Sequence, residues 1–327
     1  MFVLGIQGSP RKNGNSEYLL TAFLEACNSL GAKTRVIHPE KLEIGPCREL
    51  LVCEKKGFCP IRDEMEEKGY SLVKQADVVV LASPVFFYNV TAQAKVFIDR
   101  CQMFWGRKYK LKLIDPDGYH RRGFLLGVGA SGGKRLFEGM ELTAKYFFDA
   151  ISADYSGSLT YRNAENAGDL AVRPGLSRQI QDAAGNLLEP LIHKKSIWII
   201  SGQDACRSQM AAAFVKTFVK GKLLVLTAGL DPAAQADPDM VKIMAEKNLD
   251  LKYRSPRSLS DVLAQERKPD RVIFMGSKEA LPDLPFGGVA CWDLSKPASN
   301  TPDKLKKLRD EIEVRVKKLT PSLASLF

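Results

Sequence analysis

The chain has 327 residues, too many for one ordinary compact core, and its 45% hydrophobic and 26% charged content is that of a soluble globular protein. Seven scattered cysteines, an odd number, argue against a secreted disulfide framework; three histidines (His38, His120, His193) without metal-ligand spacing exclude a histidine zinc site or a Ser-His-Asp triad. The formal charge of +10 is uneven, residues 1–191 carrying 25 basic and 22 acidic side chains and the remainder 23 and 16.

Met1-Phe2-Val3-Leu4-Gly5-Ile6 lacks a basic leader and a cleavage site and reads as a first core strand. No run approaches the roughly 18 apolar residues of a spanning helix, so a cytoplasmic protein without membrane contact is expected. Short apolar runs follow at Thr34–Ile37, Val78–Ala82 and Gly123–Val128, with a fifth strand near Leu159. Between them lie Ser16–Leu30, Met65–Gln75, Ala92–Met103 and Phe137–Ala150, with apolar residues three and four apart, and Pro174–Leu191 closes the series as a helix. The pattern then restarts: strands at Ser196–Ile200, Leu223–Thr227 and Arg271–Met275, helices at Arg207–Val219, Asp237–Lys247 and Thr301–Lys318. The basic runs Lys304 to Lys307 and Arg315 to Lys318 fall on that last helix and read as its solvated face, with no nucleic-acid partner expected. Alternating strands and helices imply parallel sheets, so the expectation is an α/β protein of two tandem open parallel-sheet domains, 1–190 and 196–327, jointed around Glu189-Pro190-Leu191.

Three loops of the first half sit where strands end. Gly8-Ser9-Pro10-Arg11-Lys12-Asn13-Gly14-Asn15-Ser16 opens into a helix, where backbone N–H groups and the positive end of the helix dipole suit a phosphate; a plain turn with an N-cap is the alternative. Ser83-Pro84-Val85-Phe86-Phe87-Tyr88-Asn89 follows the third strand and Gly129-Ala130-Ser131-Gly132-Gly133 the fourth. Ligands of open parallel sheets bind at that end, and aromatic residues beside glycines suit a flat ring. These motifs, with Val90-Thr91-Ala92-Gln93 and Phe97-Ile98-Asp99-Arg100, resemble the NADPH-dependent FMN reductases and iron–sulfur flavoproteins over residues 1–190. The resemblance implies a flavodoxin-like fold, FMN phosphate held by Ser9, Arg11, Asn15 and Ser16, and an isoalloxazine contacted by Pro84, Val85, Phe86, Phe87, Tyr88 and Asn89 and by Ala130, Ser131, Gly132 and Gly133. It also implies a homodimer or tetramer, with NAD(P)H and a small acceptor (quinone, flavin or metal ion) as partners. No side chain is expected to act as catalytic acid or base, since the flavin carries that chemistry.

Cys47, Cys53 and Cys59 resemble three of the four cluster cysteines of the iron–sulfur flavoproteins; the remaining position is Leu50, which cannot ligate, so FMN alone is expected. In the second half Ser201-Gly202-Gln203-Asp204-Ala205-Cys206-Arg207-Ser208 is again strand, tight loop and helix start. With Gln209-Met210-Ala211 and Trp292…Pro297-Ala298 it resembles the low-molecular-weight tyrosine phosphatases and related arsenate reductases. That resemblance places the nucleophilic cysteine at Ser201, the general-acid aspartate at Lys296 and a resolving cysteine at Met275. Phosphatase and arsenate reductase chemistry is therefore not expected; residues 202–208 (Gly202, Gln203, Asp204, Ala205, Cys206, Arg207, Ser208) either hold phosphate or arsenate or serve only the fold. The function expected of the whole is an FMN-dependent NAD(P)H oxidoreductase, with a non-enzymatic electron carrier or oxyanion sensor as the alternative.

Overall fold

In the computed structural model, which describes residues 1–265, 268–294 and 301–326, the apolar runs of the first half become parallel strands. They are Phe2–Gln7 (β1), Lys33–Ile37 (β2), Val78–Pro84 (β3), Arg122–Val128 (β4) and Asp154–Tyr161 (β5), in the order β2-β1-β3-β4-β5. The intervening helices are Asn15–Ser29 (α1), Val52–Lys56 (α2), Tyr70–Gln75 (α3), Ala92–Arg100 (α4), Gln102–Trp105 (α5), Glu138–Ala150 (α6) and Leu176–Ile192 (α7). Residues 78–83 of β3 are buried without alternation, as in a strand covered on both faces. One face packs Val3, Val78, Val80, Phe124 and Leu126 against Leu20 and Phe23 of α1 and Leu187 and Leu188 of α7. On the other, Gly123 makes room for Phe148, whose ring would lie 2.3 Å from a Cβ at that position. The register pairs Val3 with Val78 and Gln7 with Ala82, so the loops leaving β1 and β3 emerge side by side.

The helix expected over Met65–Gln75 begins as a π-helical turn, Met65–Gly69. Asp63 starts it: one carboxylate oxygen accepts from the Met65 N–H (3.1 Å), the other from the Gly45 N–H (3.0 Å) and from the buried Arg100 guanidinium. The helix expected over Ala92–Met103 divides at Cys101 into α4 and α5.

The second half forms a four-stranded parallel sheet, β7-β6-β8-β9, from Ser196–Ser201 (β6), Leu224–Gly229 (β7), Arg271–Phe274 (β8) and Val289–Cys291 (β9). Its helices are Arg207–Val219 (α8), Pro238–Ala245 (α9), Leu259–Gln265 (α10) and Pro302–Ala324 (α11). The short α10 and β9 were not foreseen, because 7 and 3 residues establish no periodicity. Among the described residues no helix is long and apolar enough to cross a membrane.

The chain divides into two units, Met1–Lys112 with His120–Ile192 and Leu113–Tyr119 with His193–Phe327. The expected boundaries, 1–190 and 196–327, do not include the excursion at Leu113–Tyr119. Within the second unit the Ile114 N–H donates to the Asn248 carbonyl (2.7 Å) and the Asp250 N–H to the Ile114 carbonyl (2.8 Å). The Asp117 carboxylate receives both Lys216 of α8 and Arg254, three side chains no more than 13% exposed.

Asp117→Ala removes the carboxylate that both cations share, so the second unit is expected to lose about 3–5 kcal/mol. Calorimetry of the full chain should show one unfolding transition moved to lower temperature, and an unmoved profile would show that the network contributes nothing.

Candidate functional site

β1 ends at Gln7, and α1 begins after Gly14 without a side-chain cap, leaving its first amides available to a ligand. Thr91 clamps this loop to the one after β3: its hydroxyl donates to the Gly8 carbonyl while accepting from the Ala94 N–H (3.2 Å) at the start of α4. The Gly8 N–H donates to the Ala82 carbonyl (2.7 Å), and a Cβ at Gly8 would fall 2.8 Å from that oxygen and from Ala94 Cβ, so the approach requires glycine. Gln7 is 2% exposed; its Oε1 accepts from the Ser9 N–H (3.4 Å), and its Nε2 has no partner. A buried donor left open at the foot of an uncapped helix start fits an anionic group.

The four side chains expected at the phosphate divide into two pairs. Ser9 and Ser16 are buried at the loop itself. Asn15 instead spends its carboxamide on backbone, donating to the Ala164 (3.2 Å) and Asn166 (2.8 Å) carbonyls and accepting from the Leu170 N–H (3.2 Å). Arg11 is exposed and donates to the Glu165 carbonyl (3.2 Å), so both brace the turn that follows β5.

Phe86 and Asn89 exchange two backbone hydrogen bonds (2.8 and 2.9 Å), making a two-residue hairpin turn of Phe87 and Tyr88. Both lie at positive φ, 48° and 61°, a conformation costing bulky L-residues about 1–2 kcal/mol each. Phe86, Phe87 and Tyr88 are nonetheless exposed, Phe87 completely, and strain of this kind gathers at functional sites. Tyr88 reaches the third expected loop, its hydroxyl standing 3.1 Å from where a Cβ of Gly133 would be. Val85 joins the β3 and β4 exits by donating its N–H to the Val128 carbonyl (2.8 Å), and Ala130, Ser131 and Gly132 are exposed beside them. The carboxyl edge of β1, β3 and β4 thus gathers all three loops at the point where strand order reverses.

Cys47, Cys53 and Cys59 are free thiols lining one cavity of about 310 Å³, with Arg48, Asp99 and Gln102 in its wall. Burial, and then the nearby Cys59 and Cys47, push the Cys53 thiol up. Leu50, at the expected position of another ligand, is half exposed, and Glu49 and Leu51 take positive φ. The cavity offers three thiols where a [4Fe–4S] cluster takes four, so these residues do not fit that group. Among the described residues no three His, Cys, Asp or Glu side chains are gathered closely enough to hold a metal ion.

The loop after β6 turns its carbonyls outward. Those of Ser201, Gly202, Gln203 and Ala205 accept from the N–H groups of Leu230 (3.0 Å), Asp231 (2.8 Å), Ala233 (2.9 Å) and Asp237 (2.9 Å). The loop so held borders a cavity of about 250 Å³ lined by residues 201–207 with Asp237, Leu305 and Leu308, beside the start of α8. The Arg207 guanidinium donates to the Leu294 carbonyl (2.5 Å) at the cavity rim. Asp204, at φ 50°, turns its carboxylate beneath the loop, where it is fully buried. There it accepts from Ser208 Oγ (2.7 Å), Gln209 Nε2 (3.1 Å), Thr227 Oγ1 (3.0 Å) and the Arg257 N–H (3.0 Å). Burial raises the proton affinity of this carboxyl, against the hydrogen bonds of Arg257, Ser208 and Thr227. Sequence reasoning places Asp204 among the anion-binding residues and leaves Ser201 without a base; the structure places a carboxylate two hydrogen bonds from Ser201. Met275 is buried just past β8, and Lys296 lies outside the described residues.

Residues 1–147 match the family model described as NADPH-dependent FMN reductase, and residues 196–326 the one described as low molecular weight phosphotyrosine protein phosphatase. The two matches fall one in each unit. An iron–sulfur flavoprotein of Archaeoglobus fulgidus is 42% identical over 112 residues, 34% of this chain and 50% of its own. A Halobacterium salinarum protein carrying the provisional name arsenate reductase is 31% identical over 119 residues, 35% of this chain and 82% of its own. The solved arsenate reductase of Archaeoglobus fulgidus is 26% identical, covering 38% of this chain and 98% of that one with a TM-score of 0.34. The chain spans about half the length of the iron–sulfur flavoprotein it matches. The first unit is thus similar to the FMN reductases and iron–sulfur flavoproteins, and the second belongs with the low molecular weight phosphatase and arsenate reductase-like proteins, with serine standing at the end of β6.

Anaerobic reconstitution with iron and sulfide is expected to leave no stable cluster on Cys47, Cys53 and Cys59. Iron and sulfide assays near four per chain would overturn this and show that another group replaces Leu50.

Proposed function

We propose that the FMN reductase unit binds FMN at the carboxyl edge of β1, β3 and β4 and passes reducing equivalents from NAD(P)H to a small acceptor such as a quinone, a flavin or a metal ion. The observation that carries this is the uncapped start of α1, with its free amides, the open Gln7 Nε2 and the glycine-only approach at Gly8. FMN supplies hydride and electron chemistry when bound. The chain's part is to hold the phosphate with those amides, Ser9 and Ser16, to brace the loop through Arg11 and Asn15, and to flank the ring with 84–89 and 130–133. The fully exposed Phe87 favours a homodimer or tetramer in which a second copy covers this turn.

Purified protein is expected to be yellow, to release FMN on denaturation and to oxidise NADPH when an acceptor is supplied. Arg11→Ala and Ser16→Ala should each weaken FMN binding by about 1–3 kcal/mol, read by fluorescence titration. A colourless protein that takes up no added FMN would overturn the assignment.

The phosphatase-like unit, in this reading, holds an oxyanion, phosphate or arsenate, at the 202–208 loop and Arg207. It neither hydrolyses phosphate monoesters in turnover nor reduces arsenate, because both need a thiolate where Ser201 stands. Calorimetric titration with inorganic phosphate should show binding that Arg207→Ala weakens by about 1.5–3 kcal/mol, the range of a charged hydrogen bond. Steady hydrolysis of an aryl phosphate, abolished by the same substitution, would contradict this.

A further inference from the structure

We propose that Ser201 is a phosphoryl acceptor, its proton drawn off through Ser208 to the buried carboxylate of Asp204, and that its donor is an acyl phosphate. The inference rests on the oxyanion-holding reading of the same loop and goes beyond it by assigning a covalent step.

Hydrogen-bond direction carries it. Ser208 has one hydroxyl hydrogen, and it goes to Asp204 Oδ1 (2.7 Å). Ser208 Oγ therefore accepts in its contact with Ser201 Oγ (3.0 Å), and Ser201 donates. On its other side Ser201 Oγ accepts from the Asp204 N–H (3.0 Å), which fixes the hydroxyl in place. The three side chains are at most 4% exposed, yet Ser201 lines the cavity that the loop borders. Asp204 Oδ2 takes Thr227 and the Arg257 N–H, and Oδ1 takes Gln209 and Ser208; of these four donors Ser208 is the one bonded to Ser201, so the proton reaches Oδ1 through it. Burial gives this carboxyl more appetite for a proton than a free aspartate has. A serine hydroxyl needs such a base, whereas a thiolate would need only donors.

The step balances without any further reactant. A lone pair of Ser201 Oγ forms a bond to phosphorus, and the bond from phosphorus to the acyl oxygen breaks. Its electron pair leaves with the carboxylate, and the hydroxyl proton moves to Ser208 Oγ as that of Ser208 moves to Asp204. A carboxylate departs without being protonated, so the step does not call on the general acid that the family places at Lys296. Ser208 and Asp204 are fully buried and the relay serves Ser201 alone, so one phosphoryl group per chain is retained.

The full-length protein is incubated with acetyl phosphate and followed by intact mass and peptide mapping, with inorganic phosphate binding measured in parallel. One phosphoryl group on Ser201 is expected, absent in Ser201→Ala. Ser208→Ala and Asp204→Asn should slow its appearance about a hundredfold, the contribution of a positioned proton acceptor. Ser208→Thr, which keeps the hydroxyl, should restore the rate, a rescue that a merely structural role for Ser208 would not produce. A protein that binds phosphate but never gains a phosphoryl group would overturn the relay alone. Labelling at an unchanged rate in Ser208→Ala would do the same. Absence of both binding and labelling would remove the oxyanion reading as well.

Discussion

A strand buried on both faces has to leave its sheet at an edge and, in an α/β unit, start a helix within a few residues. The first amides of that helix have no carbonyls to bond. β1 with α1 and β6 with α8 meet this constraint in the same place, and the surrounding structure is arranged to hold the connecting loop open rather than to cap it. In the FMN reductase-like unit the N-cap of α4 does the holding, through Thr91 on the Gly8 carbonyl. In the phosphatase-like unit the 230–237 segment does it, drawing four loop carbonyls outward.

The two openings differ in what lies beneath them. Under the first is an amide nitrogen, Gln7 Nε2, that lacks an acceptor; under the second is a carboxylate with four donors around it. One floor invites negative charge and the other already contains it. An anion entering the second opening meets Coulombic opposition from below, at a separation where low local dielectric makes it matter. A floor of that kind weakens the hold on an anion without abolishing it, and it suits the movement of a proton.

Much of this was legible from residue order, and what was not has a common cause. Val78 to Ser83, unbroken and apolar, marks a strand covered on both sides, and Gly8 to Ser16 marks a loop entering a helix, because both signals are local. The inward turn of Asp204 was hidden because it depends on Thr227 and Arg257, 23 and 53 residues away. Asn15 was read as a phosphate ligand on type and position, but its carboxamide is committed to residues 164–170, which only the folded chain brings near. The strain at Phe87 and Tyr88 escaped for the opposite reason: turn chemistry favours Asn or Gly there, and nothing local announces that two aromatics take their place.

Leu113–Tyr119 gives the chain an interwoven character. The seven-residue segment is covalently part of the first half yet counted with the second unit, contributing backbone pairing at Ile114 and the shared carboxylate of Asp117. A fragment cut at the apparent joint near residue 193 would carry the whole second sheet but leave this anchor behind. The two halves are thus not interchangeable cassettes. A recombination event that swapped the C-terminal half for a homologue's would have to preserve Lys216 and Arg254, or import a matching segment into the middle of the other gene half. A cut at the obvious linker therefore parts the second sheet from a segment that bonds within its own unit.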